Sequence, residues 1–509
     1  MKNKVLLKVD NVSTYINGTL SKDLFAELRK ILGYVPEDAY FMIEKMGRGG
    51  WDGLITTLCY KKCRCLNTKA GSHFPSGLLS VVRNYLDKWG IEYELEDVRV
   101  KPEKNLKLRL SPSVILRDYQ KEEIVSPTVK MGRGIIKSST GSGKTKSCAS
   151  IIAELSVSPF IFFVPSIDLL EQAANEIEAT IVDENGKNIE VGRIGGGSCT
   201  IKDINVMTVQ TGLRSLGIKI KKSEIEDKEE KDSEEVQKKY GELKGLIENC
   251  KGFIADECQR WASSTCQSIS DSAKNAYYRI AASATPFRDK DDDILIQGCF
   301  GKNVCDISAS YLIDKGYLVC PKIYFIHVDN MKQQKYISYQ EMYKKAVVNN
   351  SYRNGIISKV CKKLINEGRN VLILVNQIEH GNILQNLMSD AVFIHGSSSK
   401  KERSETIQNV RDHKAKLTIS SSILDEGVDA PPWDALILCG SGKSPTRALQ
   451  RVGRVIRPCK YPDGSEKKDA IIIDFMDECK YMLSHSKKRK KIYKKEPRFQ
   501  IEDISLDKE

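Results

Sequence analysis

The sequence lacks the features that mark membrane and secreted proteins. No apolar run reaches the roughly 18 residues that a membrane-spanning helix needs. The basic stretch MKNKVLLKVDNVS at the start lacks the sustained apolar segment and the small-residue cleavage site of a secretion signal. The 15 cysteines are an odd number scattered through apolar segments, which disfavours a secreted disulfide framework. These absences favour a reducing, cytoplasmic compartment.

A recognisable zinc framework is also missing. The densest cysteine cluster is Cys59, Cys63 and Cys65, with CxxxC and CxC spacings, and His73 is the nearest candidate fourth ligand. This pattern matches none of the common zinc frameworks well. Ordinary half-buried cysteines are therefore the favoured interpretation.

Length and positive charge set the first expectations. The 509 residues predict about three domains, at roughly 150 residues each. With 80 basic and 67 acidic residues the net charge is +13, which suits a polyanionic partner. Charge alone does not identify nucleic acid, because many basic proteins bind none.

Two consecutive series of short apolar runs predict two α/β domains. The runs are mostly continuous rather than alternating, as expected where helices cover both faces of a parallel sheet. The first series covers 134–139, 159–166, 204–210, 252–257 and 278–285, and the second covers 322–328, 370–376, 391–396, 417–422, 434–440 and 469–475. Two such domains in tandem imply a cleft between them, where ligands commonly bind. We assign them to residues 106–305 and 306–485.

The segments outside these two series have a different character. Residues 1–105 predict a small, separate α+β domain, with helices at 21–33 and 76–89 and strands near the start, at 53–60 and at 91–96. The charged insertion at 221–239 is either an exposed helix or a disordered loop. Residues 486–509 are assigned to a charged tail. Its basic run at 487–495 either contacts phosphates or is simply solvated, and both interpretations stay open.

A phosphate-binding loop is the strongest motif. SSTGSGKT at 138–145 follows a strand and precedes a helical run, which is the context that such a loop requires. Glycines at 141 and 143 let the backbone wrap a phosphate chain, and the helix N-terminus adds oriented N–H groups. Lys144 can reach the β and γ phosphates, and Thr145 can bind Mg²⁺. The strict pattern has glycine where this chain has Ser138, a minor departure.

Two adjacent carboxylates supply the second half of a hydrolysis site. FIADE at 253–257 places Asp256 at the end of a buried strand, beside the phosphate-binding loop. Asp256 would hold Mg²⁺, and Glu257 would orient or deprotonate the attacking water. Taken alone, these residues favour a surface Asp-Glu pair at a strand end, but the phosphate-binding loop about 110 residues earlier favours the hydrolysis site instead.

Two further segments contain candidate nucleotide contacts. In LRDYQ, Gln120 can pair with an adenine edge, and Arg117 lies near it if the segment is helical. In LQRVGRVIRP, a helix would point Arg454 and Arg457 the same way, as arginine fingers for the γ-phosphate, and Gly453 would allow close approach. A basic surface helix is the alternative for the second segment.

Together these motifs resemble superfamily 2 helicases and translocases over about residues 113–480. SSTGSGKT resembles motif I, DECQ (256–259) motif II, SATP (283–286) motif III, LDEGVDAP (424–431) motif V and QRVGRVIR (450–457) motif VI; FVPSIDLLEQ (163–172) and MTVQTG (207–212) resemble motifs Ia and Ib. The resemblance implies two tandem RecA-like parallel-sheet domains, with ATP and Mg²⁺ as cofactors.

The resemblance also assigns roles to individual residues. The nucleotide would be held by Arg117, Gln120, Thr140, Gly141, Ser142, Gly143, Lys144, Thr145, Gly427 and Asp429, with Gln450, Arg454 and Arg457 joining Glu257 in catalysis. Coupling of hydrolysis to nucleic acid would fall to Gln259, Ser283 and Thr285, and strand contacts to Pro165, Ser166, Thr208, Gln210 and Thr211. Related motors often have histidine at the position of Gln259, which leaves the coupling step in question.

The N-terminal segment narrows the resemblance. GRGGWDGLITTL (47–58) and FPSGLLSVVRNYLDKWG (74–90) resemble the N-terminal domain of phage UvsW-type branch-migration helicases. That resemblance implies a DNA motor that remodels forks and four-way junctions in replication, recombination or repair, in the host cytoplasm if the chain is of phage origin. We expect the motor to be monomeric. Lys45 and Arg48 could meet phosphates and Trp51 could stack on a base, although Trp51 fits a core position equally well.

Other functions stay open at this stage. An RNA helicase uses the same backbone-contacting motifs. An ATP-switched clamp without unwinding would bind nucleotide similarly, although Glu257 and the paired arginines disfavour an inactive ATPase. A restriction-type translocase subunit is a third possibility, but no convincing nuclease cluster of carboxylates and lysine stands outside the motor motifs.

Overall fold

The structure is a computed structural model of the chain. It describes residues 5–17, 21–36, 39–46, 51–59, 72–219, 234–287, 292–329, 335–421, 432–440, 442 and 444–505. The chain divides into two compact units, of which the first comprises Met1–Ser138 and Gly143–Asp306, and the second comprises Ser139–Ser142 and Ile307–Glu509. Each unit is described by itself.

The N-terminal part of the first unit has its own mixed sheet. Its strand order is Ser72–Pro75, Ser13–Asn17, Val5–Val9 and Tyr93–Asp97. Helices Lys22–Ile31, Ala39–Met46 and Leu79–Lys88 accompany it, together with the short pair Gly33–Tyr34 and Ile55–Thr56. Alternate residues of Val5–Val9 are buried, as expected when one face of a strand meets a core. The predicted strand at 53–60 is shorter than expected, because only Ile55–Thr56 pairs, with an isolated bridge from Cys59 to His73.

This N-terminal part packs directly on the α/β part of the same unit. A Cβ atom on Gly77 would lie 2.1 Å from the carbonyl oxygen of Gln297 and 2.5 Å from that of Gly298. Only glycine therefore permits this approach to helix Asp293–Phe300. The sequence predicted a separate domain, whereas contacts of this kind place it in one compact unit with the sheet that follows.

The described α/β part of the first unit contains an eight-stranded sheet. The strand order is Ser198–Cys199, Val191–Gly195, Ile204–Thr208, Phe160–Val164, Gly252–Asp256, Tyr278–Ser283, Arg133–Ser138 and Asn303–Ile307. The five predicted strands are all present and parallel to their neighbours among these five. Every residue of Phe160–Val164 and Tyr278–Ser283 is buried, which explains the continuous apolar runs.

Helices cover the faces of this sheet, and several begin at a capping side chain. They are Lys144–Leu155, Ile167–Thr180, Val209–Ser215, Tyr240–Asn249, Ser264–Ser272 and Asp293–Phe300, with shorter pieces at Gln120–Val125, Ser126–Met131, Glu234–Lys238 and Cys258–Ala262. Of the charged insertion, 221–233 lies outside the described residues, and Glu234–Lys238 is helical with Val236 buried.

The second unit has a seven-stranded sheet whose described pairings are all parallel. The strand order is Val392–Ile394, Leu417–Ser420, Val371–Leu374, Ala435–Leu438, Asp469–Asp477, Cys320–Val328 and Gln500–Ser505. Its helices are Ala309–Asp314, Tyr339–Tyr343, Ser351–Asn366, Ile378–Leu387, Lys400–Arg411, Pro445–Val455 and Lys480–Tyr493, with a π-helical turn at Lys344–Val348. The six predicted strands are present, so the α/β class with two parallel sheets is confirmed.

The segment assigned to a charged tail is part of this second fold. Helix Lys480–Tyr493 runs through the boundary at 485, and Gln500–Ser505 adds an edge strand parallel to Cys320–Val328. The sequence missed the strand because only two of its six residues, Ile501 and Ile504, are apolar. None of its residues is fully buried, so this edge strand needs few apolar side chains.

Buried ion pairs fix the C-terminal helix to the sheet. Arg489 donates from Nε to Asp474 Oδ2 at 2.9 Å and from Nη2 to Asp474 Oδ1 at 2.7 Å, with both side chains at most 4% exposed. Arg353 makes a comparable pair with Asp477 at 2.8 Å. Such bidentate pairs need both partners, because a lone buried charge is strongly destabilising.

We expect Asp474→Ala to destabilise the second unit by about 3–5 kcal/mol, since Arg489 would then be buried without its counter-ion. Hydrogen exchange of peptides covering 469–493 during denaturant titration would measure the loss. Asp412→Ala is the matched control in the same unit, because the Asp412–Lys414 pair is exposed and should matter little. Equal effects of the two substitutions would contradict the structural role of the buried pair.

Each helix that the structure describes is too short or too polar to span a membrane.

Candidate nucleotide-binding site

The loop after strand Arg133–Ser138 has the backbone of a phosphate-binding loop. Gly141 has φ +87° and Gly143 has φ +74°, both in the region that favours glycine. Helix Lys144–Leu155 starts immediately after Gly143, so its first N–H groups lie at the end of the loop. The sequence predicted this strand, loop and helix in that order.

Lys144 and Thr145 occupy the first turn of that helix. The Lys144 ammonium is half-buried and donates to the carbonyl oxygen of Ser138 at 3.2 Å. It therefore closes back over the loop that it follows, where a phosphate chain would lie. Thr145 is half-buried in the same turn.

Asp256 and Glu257 lie at the carboxyl end of the central strand Gly252–Asp256. Both side chains are half-buried, and Glu257 N–H donates to Asp256 Oδ1 at 3.0 Å. Glu257 has φ +47°, a left-handed conformation that is uncommon outside glycine and costs of order 1–3 kcal/mol. Strain of this kind is typical of functional positions, where the surrounding fold fixes an unfavourable backbone.

Gln259 connects Glu257 to the next strand. Gln259 Nε2 donates to Glu257 Oε2 at 2.8 Å, and the Ser283 hydroxyl donates to Gln259 Oε1 at 2.7 Å. Ser283 Oγ is also 3.3 Å from Glu257 Oε2, but its single proton satisfies the shorter bond. One amide therefore joins the segment DECQ to the segment SATP.

Thr285 completes this hydrogen-bond chain through its backbone. Its N–H donates to Ser283 Oγ at 3.0 Å, so the hydroxyl of Ser283 both donates and accepts. The structure thus brings together the three residues that the sequence predicted for coupling.

Cys258, between the carboxylate pair and Gln259, packs in the core. Its side chain is fully buried, and burial together with the negative charge of Glu257 raises the pKa of the thiol well above its usual range. The thiol therefore stays protonated and takes no part in acid–base chemistry at neutral pH.

Gln120 is directed at the phosphate-binding loop. Its Oε1 accepts the N–H of Arg117 at 3.0 Å, and its Nε2 lies 3.4 Å from the carbonyl oxygen of Gly143. Arg117 instead donates to the Tyr119 hydroxyl at 3.2 Å. Gln120 is buried, and the pairing of its amide with adenine stays a prediction.

The second unit contains the other predicted catalytic residues. Gln450 and Arg454 lie on helix Pro445–Val455, but this helix ends before Arg457. The prediction that one helix carries both arginines was therefore wrong. Pro458 follows Arg457 in the sequence and disfavours helical backbone at the residue before it. Gly427 and Asp429 lie outside the described residues.

The predicted strand-contacting segments meet at one sheet edge. Gln210 Nε2 donates to the carbonyl oxygen of Pro165 at 3.1 Å, which joins motif Ia to motif Ib. Ser166 caps helix Ile167–Thr180 by accepting from Leu169 N–H at 3.4 Å.

Two of the residues predicted to touch a strand are buried. Thr208 donates to Thr211 Oγ1 at 2.9 Å, and both side chains are fully buried. Their hydroxyls shape the start of helix Val209–Ser215 and do not face solvent. Contact of these two side chains with a nucleic-acid strand is not supported.

The N-terminal candidates are only partly described. Arg48 lies outside the described residues, as does the side chain of Lys45. The half-buried Trp51 donates from Nε1 to the carbonyl oxygen of Leu54 at 3.2 Å, which ties the indole to its own loop. Asp52 beside it is held by Arg29 through bonds of 2.6 and 2.9 Å. This arrangement supports a structural part for Trp51.

The donors fit magnesium better than zinc. Among the described residues, no group of three or more His, Cys, Asp or Glu side chains could hold a metal ion, and Cys63 and Cys65 lie outside them. Mg²⁺ prefers one or two carboxylates, a hydroxyl, waters and phosphate oxygens. Asp256 and Thr145 supply oxygen donors of that kind in the first unit.

Comparison with protein families matches both α/β parts. Residues 113–288 match the model for the type III restriction enzyme res subunit, and residues 355–459 match the helicase conserved C-terminal domain.

Curated relatives extend the similarity over most of the chain. The chain is 25% identical over 420 residues to the DNA 3'-5' translocase XPB2 of Sulfurisphaera tokodaii, covering 74% of this chain and 86% of that protein. It is 22% identical over 457 residues to the ATP-dependent DNA helicase uvsW of Enterobacteria phage T4, covering 85% and 84%. The chain is 26% identical over 368 residues to a protein of Sulfolobus islandicus filamentous virus that is named helicase 22. This match covers 67% of this chain and 61% of that relative's length.

A solved structure supports the fold. The ATP-dependent type ISP restriction-modification enzyme LlaBIII bound to DNA has a TM-score of 0.53 at 14% identity, covering 84% of this chain and 34% of that one. At this identity the likeness concerns the fold alone.

Proposed function

The chain belongs to the superfamily 2 helicases, a family of ATP-dependent helicases and translocases, and we propose that it hydrolyses ATP to remodel branched DNA. Forks and four-way junctions would be its substrates, in replication, recombination or repair. The observation that carries the proposal is the chain of hydrogen bonds from Glu257 through Gln259 to Ser283. It joins the residue placed for hydrolysis to the segment that, in the family pattern, responds to nucleic acid.

The first unit supplies the chemistry for phosphoryl transfer. Lys144 and the first N–H groups of helix Lys144–Leu155 would bind the phosphates, and Glu257 would orient the attacking water and accept its proton. Thr145 and Asp256 would hold Mg²⁺, which neutralises phosphate charge when bound. Because Glu257 is held by Gln259 at 2.8 Å, its carboxylate keeps one orientation toward that water.

The second unit is assigned the residues of motifs V and VI. By resemblance, Arg454 and Arg457 would stabilise the charge that develops on the γ-phosphate, and Gln450 would assist. Gly427 and Asp429 would contribute to nucleotide binding. Nucleotide-dependent rearrangement of the two units would then drive movement along DNA.

Two observations support branched DNA as the substrate: a sequence similarity and the packing of the N-terminal part. The similarity to the phage T4 uvsW helicase covers 85% of this chain and therefore extends at least some way into the N-terminal part. That part packs on helix Asp293–Phe300 through the close approach at Gly77. Phe300 of that helix contacts Trp261, which follows DECQ, with ring centroids 5.2 Å apart. If the N-terminal part contacts DNA, as the resemblance implies, this packing would connect that contact to the hydrolysis segment.

We expect Gln259→Ala to impair unwinding more than ATP hydrolysis, while ATP binding is kept. The substitution removes both side-chain bonds that join Glu257 to Ser283 but leaves the two carboxylates in place. The measurements are nucleotide affinity, DNA-stimulated ATPase rate and strand displacement on one fork substrate. Gln267→Ala is a matched control, since within the described residues that amide bonds only to the carbonyl oxygen of Ala262, at 3.4 Å. Equal loss of hydrolysis and unwinding would remove the coupling role from Gln259.

A panel of labelled substrates tests the proposal itself. It contains a fork, a four-way junction, a D-loop, duplexes with either overhang and an RNA duplex, each with ATP and with a non-hydrolysable analogue. We expect ATP-dependent remodelling of the fork and the junction. Unwinding confined to RNA or to plain overhang duplexes would reject branch remodelling, and equal activity with the analogue would favour an ATP-switched clamp.

A further inference from the structure

The outward face of the C-terminal helix is rich in lysine. Helix Lys480–Tyr493 and the two residues after it expose Lys480, Lys487, Lys488, Lys491, Lys494 and Lys495. Between Lys487 and Lys495 these residues recur at spacings that place them on one side of a helix. We call these six residues the lysine face.

The opposite side of the helix is fixed to the sheet. Its buried residues are Met482, His485, Ser486, Arg489 and Tyr493. Ser486 donates to the carbonyl oxygen of Phe475 at 2.8 Å, and Arg489 makes its two bonds to Asp474. The lysine face is therefore carried on a rigid element and not on a solvated tail.

Nearby acidic side chains are already engaged elsewhere. Asp503 bonds to Lys490, and this bond lowers the pKa of the Asp503 carboxyl. Glu496 accepts from the N–H and the hydroxyl of Ser310 at 2.9 and 2.7 Å. Among the described residues, no ion pair joins an acidic side chain to any member of the lysine face.

Several lysines elsewhere in the chain are balanced by a neighbouring carboxylate, although not every lysine is. Lys239, Lys244, Lys345 and Lys401 each pair with a glutamate four residues away. Such pairing is the ordinary way in which a helix balances surface charge. The described residues show no such pairing on the lysine face. Its positive charge is therefore concentrated, and a polyanion would complement it.

We propose that the lysine face binds the phosphate backbone of duplex DNA. Lys487 to Lys495 span about 12 Å at roughly 1.5 Å per residue, and a duplex presents about one phosphate per 1.7 Å of its axis. Duplex is favoured over single strand because single strands are bound by stacking on free aromatic rings. The ring of the exposed Tyr481 is already in contact with other side chains. The Lys480 ammonium lies 5.3 Å from its centroid, and the ring centroid of Tyr339 lies 6.3 Å from it.

This surface lies outside the segments that match motifs I to VI, and it presupposes the proposed DNA substrate but not hydrolysis. It would hold a duplex arm through charge alone, without reading sequence. The test is therefore made without nucleotide, so that an inactive ATPase leaves the result unchanged.

The experiment compares two triple substitutions in the full chain. Lys487→Gln, Lys488→Gln and Lys491→Gln are combined in one variant. The control combines Lys359→Gln, Lys362→Gln and Lys363→Gln, three exposed lysines on helix Ser351–Asn366 of the same unit. Both variants lose three positive charges, and glutamine is a good helix former, so the helices should persist.

Affinity for a blunt, labelled duplex is measured by anisotropy at several salt concentrations. We expect the lysine-face variant to bind about ten- to a hundredfold more weakly, with a salt slope shallower by about 2.7, since each phosphate contact contributes about 0.9. The control should stay within about twofold of the unmodified chain. An unchanged affinity and slope in the lysine-face variant would overturn the proposal, as would an equal loss in the control.

Single-stranded DNA provides the second arm of the test. A smaller loss of affinity for a single strand than for the duplex supports the assignment to duplex. An equal loss for both would overturn that assignment. Failure of the substrate panel with unmodified protein would reject the proposed function, whereas failure here would reject only the lysine face.

Discussion

Lys144→Ala should abolish DNA-stimulated ATP hydrolysis, with a fall in kcat of at least about 10²–10³-fold. Lys144 begins the helix after the phosphate-binding loop, and its ammonium lies 3.2 Å from the carbonyl oxygen of Ser138. Removing a positioned donor from a site where charge develops in the transition state has effects of roughly this size. Unwinding should be lost with hydrolysis, because movement depends on the nucleotide cycle.

The control for this substitution lies on the same helix. Lys146→Ala removes an equal charge two residues later, where the side chain points to a different side of the helix. We expect its ATPase rate to remain close to that of the unmodified protein. Steady-state phosphate release with saturating DNA measures both variants, and circular dichroism checks that they are folded. If Lys144→Ala retained DNA-stimulated hydrolysis, the assignment of this loop to ATP binding would be wrong.

Glu257→Gln should separate ATP binding from hydrolysis. The substitution keeps the size of the side chain but removes its ability to accept a proton, so kcat should fall about 10²–10⁴-fold. Asp256, Thr145 and Lys144 are unchanged, so nucleotide affinity should be kept. A fluorescent ATP analogue measures binding, and single-turnover hydrolysis measures the chemical step.

Asp256→Asn provides the contrasting variant. Because we assign its side chain to the metal rather than to the water, we expect weaker nucleotide binding as well as slower hydrolysis. Asp256 also accepts the N–H of Glu257 at 3.0 Å, a bond that an asparagine oxygen can still accept. Hydrolysis by Glu257→Gln at the unmodified rate would show that another group activates the water.

Local sequence was enough to predict the loop and the carboxylate pair. Glycine at 141 and 143 permits positive φ whatever surrounds it, and both residues have it. The run before Asp256 predicts a buried strand whose end carries the carboxylate, as the structure has it. These features depend on residues that are neighbours in the chain, so a single sequence reveals them.

Contacts between distant residues needed the fold. Gln259 and Ser283 are 24 residues apart, and they meet because strand Gly252–Asp256 pairs with Tyr278–Ser283, with Asp256 opposite Ala282. The sequence named both residues as coupling candidates only through the family pattern. Their direct hydrogen bond follows from the register of two parallel strands, which no local pattern specifies.

Helix ends and sheet edges were the other points of difference. Arg454 and Arg457 were expected on one helix, but Pro458 gave a signal against helical backbone at Arg457. Thr208 and Thr211 looked available to a nucleic-acid strand, yet they bond to each other in the core. Whether a side chain at a helix start is buried depends on which distant residues pack against it. The sequence of the segment alone does not reveal those residues.

By itself the sequence determined that this protein has two parallel α/β sheets and the motifs of a superfamily 2 helicase. Only the tertiary structure decided that the basic C-terminal segment is a helix and strand of the second fold. Apolar periodicity is weak there, because the helix is held by a buried Arg489–Asp474 pair and no residue of the strand is fully buried. Such anchors are polar residues far apart in the chain, and they are recognisable only after folding brings them together.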